Sequence, residues 1–222
     1  MASKEDQFWA DVPLGLGDKE PGTTWTRASS KGLVVGALRT ELLLVPRPRL
    51  SVGVGRPGRA ALAERLDRIR PPRVVLLGFC GGLRSSLAPG DLILGDFVID
   101  RDGVLRLPPE EVARAAEALP WARVGGLVSV DHPADPAEKV RLGIDALGVD
   151  MESGPLCREL VARGIPFLLV RAVLDAAWEE IRPAPRHVLW AGRALACARR
   201  LGVAARALQS MAGSATARSP RE

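Results

Sequence analysis

Short, wholly apolar runs that alternate with amphipathic segments are the feature that most constrains the fold of this chain. Residues 74–77 and 167–170 are uninterrupted apolar runs of strand length, as expected for strands that are covered on both faces. Residues 59–70 carry apolar side chains at the spacing of a helix. The alternation predicts a single α/β domain, in which a central mixed, mostly parallel twisted sheet is flanked by helices.

Proline, glycine and hydrophobic periodicity place the element boundaries. The predicted strands cover residues 33–38, 50–54, 74–77, 92–94, 97–99, 124–130, 146–150 and 166–173. The predicted helices cover residues 59–70, 108–119, 137–142, 153–163 and 186–211. A glycine-rich turn is expected at residues 81–83, and another turn at residues 89–91. The domain then spans residues 32–211, between a flexible N-terminal tail of residues 1–31 and a flexible C-terminal tail of residues 212–222.

Composition excludes several classes of protein. Of the 222 residues, 47% are apolar and 26% are charged, which is typical of globular domains and excludes a disordered or fibrous chain. The net charge of +5 comes from arginines spread along the chain, so no nucleic-acid partner is expected. No apolar run is long enough to span a membrane, and the first 30 residues are too acidic for a secretory signal.

The few cysteines and histidines exclude a metal centre and indicate a reducing compartment. Three widely spaced cysteines, Cys80, Cys157 and Cys197, do not form a disulfide framework or a zinc motif. The two histidines, His132 and His187, are expected to be surface or packing residues. We therefore expect a cytoplasmic protein with no metal and no cofactor.

Acidic residues follow three of the predicted strands. Glu41, Glu152 and Asp175 each come directly after an apolar run or close behind it, and ligands of α/β sheets bind beyond the carboxyl ends of the strands. If these carboxyl groups converge on a partly closed site, burial raises the pKa of at least one and makes it a general acid.

Each of these residues also has a purely structural interpretation. Glu41 and Glu152 could be first-turn acids that favour the helix dipole, and Asp175 could be a helix N-cap. Arg171, near the end of an apolar strand, is harder to explain in this way because a buried guanidinium needs a partner. Cys80 is a poor candidate nucleophile, since no histidine lies near it in the sequence.

Four segments taken together resemble the superfamily of nucleoside phosphorylases and methylthioadenosine/S-adenosylhomocysteine nucleosidases. The most specific part is Asp150-Met151-Glu152 followed by Arg171 and, four residues later, Asp175. The segments are residues 32–41, residues 78–82 with 89–91, residues 149–152, and residues 165–175. The resemblance implies the fold of that superfamily, cleavage of a purine nucleoside at its N-glycosidic bond, and a homo-oligomer, by default a homodimer.

The same resemblance implies catalytic roles for two acids. Asp175 would protonate the leaving purine, and Glu41 would orient or deprotonate an attacking water. Bond cleavage develops positive charge on the sugar and negative charge on the base, so two carboxyl groups with different pKa values suit this chemistry, as in O-glycoside hydrolysis.

Substrate-binding roles follow from the resemblance for five further residues. Glu152 would accept hydrogen bonds from the ribose hydroxyls, and Met151 would pack against the sugar. Gly81 and its neighbour Cys80 would let the backbone approach the ligand, while Arg171 would support the site from its strand.

Departures from the family pattern bear on the substrate and the nucleophile. Pro133 stands where the family often has an aromatic ring that stacks on adenine. Val75 or Leu76, and Phe79, stand where hexameric phosphorylases carry an arginine and a serine for phosphate. This favours water as the nucleophile, although Arg39 and Arg56 leave phosphorolysis open.

A further resemblance is to the hopanoid-associated phosphorylase branch, which acts on adenosylhopane. It rests on residues 58–61 and 150–153 and on the proline-rich residues 183–185. An apolar rim of Phe79, Leu174 and Trp178 would suit a hydrophobic 5′ substituent. A non-catalytic, nucleoside-binding relative is the alternative, because Phe79 and Leu174 both depart from the pattern.

Overall fold

The computed structural model describes residues 32–179 and 187–215. The predicted tail of residues 1–31 and the proline-rich residues 183–185 lie outside this part of the chain, as do residues 216–222. The described residues contain eight strands and five helices. The strands are β1 (Leu33–Gly36), β2 (Arg49–Ser51), β3 (Val74–Gly82), β4 (Leu92–Asp100), β5 (Gly103–Arg106), β6 (Ala122–Ser129), β7 (Gly148–Asp150) and β8 (Phe167–Asp175). The helices are α1 (Gly55–Ile69), α2 (Pro109–Ala118), α3 (Pro136–Leu142), α4 (Ser153–Ala162) and α5 (His187–Ala215).

Local sequence explains where several helices begin and end. Pro109 lies in the first turn of α2 together with two glutamates, where its missing N–H and their negative charge are both favourable. Asp135 caps α3 by accepting a hydrogen bond from the backbone N–H of Glu138. Helix α1 stops at Arg70, which has a left-handed backbone (φ 35°) and precedes two prolines.

The eight strands form one mixed sheet that closes on itself. β3 pairs with β1, β7 and β8, while β4 pairs with β5, β6 and β8. Since β6 also pairs with β7, the strands β3, β7, β6, β4 and β8 make a closed circuit. Five of the eight pairings are parallel and three are antiparallel. The predicted α/β domain with a mixed sheet is confirmed; its closure was not predicted.

The glycine motif lies inside a strand, so the predicted turn at residues 81–83 is wrong. β3 continues to Gly82, and Gly81 pairs with both Val149 and Asp175. Glycine is needed here because of what lies above the strand: a Cβ atom on Gly78 would be 2.8 Å from Nη1 of Arg171. The turn predicted at residues 89–91 is confirmed, with Gly90 at a positive φ of 97°.

Two further differences concern β4 and β5. The two strands predicted at residues 92–94 and 97–99 are one strand, whose register with β6 shifts between Gly95 and Val98. β5 was not predicted, since it is short and mostly exposed and therefore lacks a hydrophobic pattern.

The core lies between the sheet and its helices. Buried side chains of β3 and β8 are nearly all apolar, and α5 adds Cys197, Leu201 and Leu208 to the same cluster. Helix α5 extends to Ala215, beyond its predicted end at Met211. Among the described helices, none combines the length and the hydropathy that crossing a membrane requires.

Candidate active site

Glu41 lies in the turn that follows β1 and is fixed by two backbone donors. Its Oε2 accepts a hydrogen bond from the N–H of Leu38 at 2.8 Å, and its Oε1 accepts one from the N–H of Phe79 at 2.9 Å. Only 3% of the residue is exposed. Burial raises the pKa of Glu41, and the backbone donors and Arg171 oppose that shift. The carboxyl group is therefore held in one orientation against β3.

Arg171 on β8 forms a buried ion pair with Asp150 at the end of β7. Its Nε lies 2.5 Å from Oδ2 of Asp150, and Asp150 also accepts hydrogen bonds from the N–H and the hydroxyl of Ser153. Burial opposes the charge of Arg171, but Asp150 and Glu41 outweigh it and keep its pKa above the ordinary value. The partner that a buried guanidinium requires is thus Asp150.

Glu152 and Met151 follow Asp150 and are both partly buried. Oε2 of Glu152 accepts a hydrogen bond from the N–H of Met151 at 3.3 Å. Burial, together with the nearby carboxylates of Asp150 and Glu41, raises the pKa of Glu152 to about 8. Glu41, Asp150, Glu152 and Arg171 therefore form one interacting group, which we call the carboxylate cluster.

Asp175, at the carboxyl end of β8, is paired with a lysine. Oδ2 of Asp175 accepts a hydrogen bond from Nζ of Lys139, and each residue is at most 2% exposed. Oδ1 of Asp175 is also buried, but it finds no hydrogen-bond partner among the described residues. Burial raises the pKa of Asp175, and Lys139 works against that rise.

Gly81 makes room for this ion pair. A Cβ atom at Gly81 would lie 3.1 Å from both Oδ2 of Asp175 and Cε of Lys139. Its neighbour Cys80 has a different environment, because the thiol packs in the apolar core. Burial raises the pKa of Cys80 well above its ordinary value, which disfavours the reactive thiolate.

The structure thus places Glu41, Glu152 and Asp175 at or just beyond the carboxyl ends of β1, β7 and β8, and Arg171 in the middle of β8. It does not place Phe79 and Leu174 on an exposed rim, as expected for a hydrophobic substituent, because both side chains are buried in the core. Trp178 is 65% exposed. The prediction of an apolar rim is therefore wrong for two of its three members.

The remaining predicted positions lie at the surface or outside the described part of the molecule. His132 is exposed and contacts Asp131 and Glu138, as expected for a surface histidine. Arg39 is exposed. The side chains of Arg56 and His187 lie outside the described residues.

Sequence reasoning missed two charged residues of the site. Asp150 begins the motif Asp150-Met151-Glu152, and its place at the end of a predicted strand was the available signal. Lys139 gave a weaker signal: it is the single lysine between residues 32 and 222 of an arginine-rich chain. Within residues 32–179 and 187–215, no group of three or more His, Cys, Asp and Glu side chains is placed to hold a metal ion.

A cavity of about 440 Å³ lies apart from these residues. It is lined by β4, α2 and their neighbours, including Asp96, Leu107, Val112 and Val124. None of the predicted site residues lines it.

Known proteins share this sequence pattern and this fold. The family model of the phosphorylase superfamily matches residues 22–142, more than half of the chain. The 5′-methylthioadenosine/S-adenosylhomocysteine nucleosidase of Geobacillus kaustophilus is 32% identical over 160 residues, which cover 59% of this chain and 67% of the relative. AMP nucleosidase of Escherichia coli K12 is 28% identical over 153 residues, which cover 57% of this chain but 32% of that enzyme.

Solved structures extend the likeness to the fold. The S-adenosylhomocysteine nucleosidase of Streptococcus pyogenes, in complex with 5-methylthiotubericidin, superposes with a TM-score of 0.69 at 17% identity, covering 83% of this chain and 99% of that one. Futalosine hydrolase of Helicobacter pylori gives a TM-score of 0.67 at 15% identity, covering 82% and 98%. The extent of the family match, together with the shared fold, establishes that the chain belongs to the phosphorylase superfamily.

Proposed function

We propose that the protein cleaves the N-glycosidic bond of a purine nucleoside by hydrolysing a 5′-substituted adenosine to adenine and the ribosyl product. The observation that carries this proposal is the state of Asp175. Its carboxyl group is buried, its pKa is raised, and Oδ1 lacks a partner among the described residues. Burial favours the protonated form of this carboxyl group, and a protonated acid with an unpartnered oxygen can deliver its proton to a departing base.

The other residues of the site have complementary roles in this reaction. Glu41 orients or deprotonates the attacking water, since its carboxyl group is fixed by two backbone N–H donors. Glu152 accepts hydrogen bonds from the ribose hydroxyls, and Met151 packs against the sugar. Arg171 supports the carboxylate cluster through its ion pair with Asp150. The negative charge of the cluster also favours the cationic ribosyl centre of the transition state.

The substrate class is supported by the names of the relatives. Methylthioadenosine, S-adenosylhomocysteine and AMP, which those names contain, are all adenosines with a substituent at the ribose 5′ position. Of the three residues predicted to form an apolar rim, Trp178 alone is exposed, so adenosylhopane, the most hydrophobic candidate, rests on the sequence resemblance. The active form is a homodimer, which sedimentation equilibrium of the purified protein tests directly.

Phosphorolysis is the second candidate function, because the family model that matches the chain describes phosphorylases. Arg39 and Arg56 are the residues to which the sequence assigns the phosphate contacts in that case. The two reactions differ in their nucleophile and in their sugar product, which is the 5-substituted ribose after hydrolysis and its 1-phosphate after phosphorolysis, so phosphate dependence separates them.

The test is release of free base from a panel of nucleosides, with and without phosphate. The panel contains adenosine, methylthioadenosine, S-adenosylhomocysteine, AMP, inosine and a 5′-alkyl adenosine. We expect base release without phosphate, and a loss of at least about a thousandfold in turnover for Asp175→Asn, since the acid and its proton are both removed. Glu64→Gln is the matched control, because Glu64 forms only an exposed ion pair with Arg68.

Three outcomes would contradict this proposal in different ways. Release that requires phosphate would establish phosphorolysis. Near-normal turnover in a folded Asp175→Asn variant would remove Asp175 from its role as general acid. Binding of nucleosides without release of base would identify a non-catalytic relative. Circular dichroism of each variant distinguishes a chemical defect from unfolding.

A further inference from the structure

Lys139 makes three hydrogen bonds in a fully buried position. Its Nζ donates to Oδ2 of Asp175, to the carbonyl oxygen of Ala176 at 3.1 Å, and to the carbonyl oxygen of Glu179 at 2.7 Å. An ammonium group has three donors, so all of them are used. Such a group is held in one place, and it fixes the atoms that it contacts.

The three acceptors belong to one short segment, residues 175–179, which includes the last residue of β8 and the four residues after it. The side chain of Glu179 fastens the same segment, because Oε2 accepts a hydrogen bond from the N–H of Ala176 at 2.9 Å. Arg193 of α5 in turn holds Glu179, with nitrogen to oxygen distances of 2.7 and 3.0 Å. Lys139 from α3 and Arg193 from α5 therefore tie residues 175–179 between them.

One oxygen of Asp175, Oδ2, is thereby paired with Lys139, and the other, Oδ1, is buried without a hydrogen-bond partner among the described residues. Since the carboxyl group is planar, fixing Oδ2 and the backbone also fixes the direction of Oδ1. We propose that Lys139 is a positioning residue for the general acid, and that its ammonium group fixes Oδ2 of Asp175 so that Oδ1 faces the base of the substrate. This inference rests on the proposed function.

A lysine suits this role better than an arginine would. The ammonium is a compact point charge whose three donors match three converging oxygens, whereas a guanidinium is a wide planar fork. The chain has 31 lysines and arginines, and Lys139 is the single lysine after residue 31. Gly81 leaves room beside Lys139 Cε, where a Cβ atom would approach to 3.1 Å.

The charge of Lys139 also affects the pH range over which Asp175 is protonated. The groups that interact with Asp175 are Lys139 from α3, Arg193 from α5 and Glu179 from its own segment, while the thiols of Cys80 and Cys197 lie nearby and are neutral because burial raises the pKa of each. Lys139 is the strongest of the groups that lower the pKa of Asp175. A general acid works while it is protonated, so activity falls as the pH rises through its pKa.

The experiment compares the wild type with Lys139→Met, which keeps the aliphatic stem and removes the charge. Loss of the ammonium raises the pKa of Asp175, so the basic limb of the kcat/KM profile shifts upward by about one pH unit or more. Loss of positioning lowers kcat by about tenfold to a hundredfold, with KM nearly unchanged. Lys139→Arg restores the charge without the geometry. The basic limb of the kcat/KM profile should therefore return toward its wild-type position, while kcat should stay low. Arg68→Met, which removes an exposed cation, changes neither quantity.

A measurement that needs no turnover separates this inference from the proposed function. Carbon-13 NMR titration of the Asp175 carboxyl group, assigned with Asp175→Asn, reports its pKa directly. A higher pKa in Lys139→Met supports the inference even if the wild type releases no base, an outcome that would count against the proposed function alone. If Lys139→Met does not fold, Lys139→Gln, which keeps a donor, takes its place. An unchanged pKa of Asp175 together with an unchanged kcat in the folded variant would overturn the inference.

Discussion

At the scale of single residues, Glu152 is a carboxyl group that titrates unusually close to neutral pH. Burial and two neighbouring carboxylates raise its pKa to about 8, so in the free protein it is mainly protonated at pH 7. A ribose hydroxyl donates a hydrogen bond more strongly to a carboxylate than to a carboxylic acid. If Glu152 binds the ribose hydroxyls as proposed, nucleoside binding favours its ionised form and releases a proton.

This linkage predicts that nucleoside affinity increases with pH. Below pH 8 the dissociation constant of a non-cleavable methylthioadenosine analogue should fall by up to about tenfold per pH unit, and it should level off above pH 8. Glu152→Gln should bind more weakly and lose most of this dependence, whereas the exposed control Glu64→Gln should keep it. Isothermal titration calorimetry from pH 6 to 9 measures both. An equally steep dependence in Glu152→Gln would assign the titration to another group.

Single residues also show how far the sequence predicts the candidate site. Glu41, Glu152, Arg171 and Asp175 could be identified because each follows or ends an apolar run, and that position is a local property. Lys139 could not, because its burial depends on α3 lying over the end of β8, a contact between elements that are 36 residues apart. Which residue pairs with a buried charge depends on the tertiary structure, so it cannot be predicted from a local sequence pattern.

At the scale of elements, strand β3 shows how backbone space and site geometry depend on each other. Its glycines stand beneath the charged side chains, and a Cβ atom on Gly78 would lie 2.8 Å from Nη1 of Arg171 and 3.2 Å from Oε1 of Glu41. Glycine-rich segments usually indicate turns, which is why the sequence predicted one here. The strand instead continues because the glycines make room for Arg171, Glu41 and Asp175.

We therefore expect Gly78→Ala to disturb the carboxylate cluster. The added methyl group forces Arg171 away from Asp150, which should reduce activity at least tenfold and lower the free energy of unfolding by about 1–3 kcal/mol. The matched control is Gly192→Ala in α5, where a Cβ atom meets nothing within 4 Å. That variant should gain up to about 1 kcal/mol from helix propensity and keep full activity. Urea denaturation and base release measure the two effects, and full activity in Gly78→Ala would show that the approach to Arg171 is unimportant.

At the scale of the whole molecule, the closed circuit of strands joins elements that are distant in sequence. The element types and most of their positions follow from hydrophobic periodicity, but the closure depends on β8 pairing with both β3 and β4. Several apolar strands could pair with β8, and the packing of the whole sheet decides which of them do. Local sequence patterns therefore do not reveal these pairings. The circuit also means that the site residues on β7 and β8 are supported by the same core.

Substitutions in helix α5 can test whether core packing stabilises the site without affecting the chemical step. Leu201 is fully buried in the core, whereas Leu195 on the same helix is 39% exposed. Leu201→Ala should lower the free energy of unfolding by about 2–5 kcal/mol through lost burial and a cavity, and Leu195→Ala should change it by less than about 1 kcal/mol. Helix α5 holds the segment after β8 through Arg193, which both variants keep, so turnover per folded molecule at low temperature should stay within about twofold of the wild type in both variants. Thermal unfolding followed by circular dichroism should remain a single transition, since one core spans the sheet and the helix. A second transition would show that α5 unfolds separately from the sheet, and a large loss of turnover in a fully folded Leu201→Ala sample would show that Leu201 supports the site in addition to Arg193.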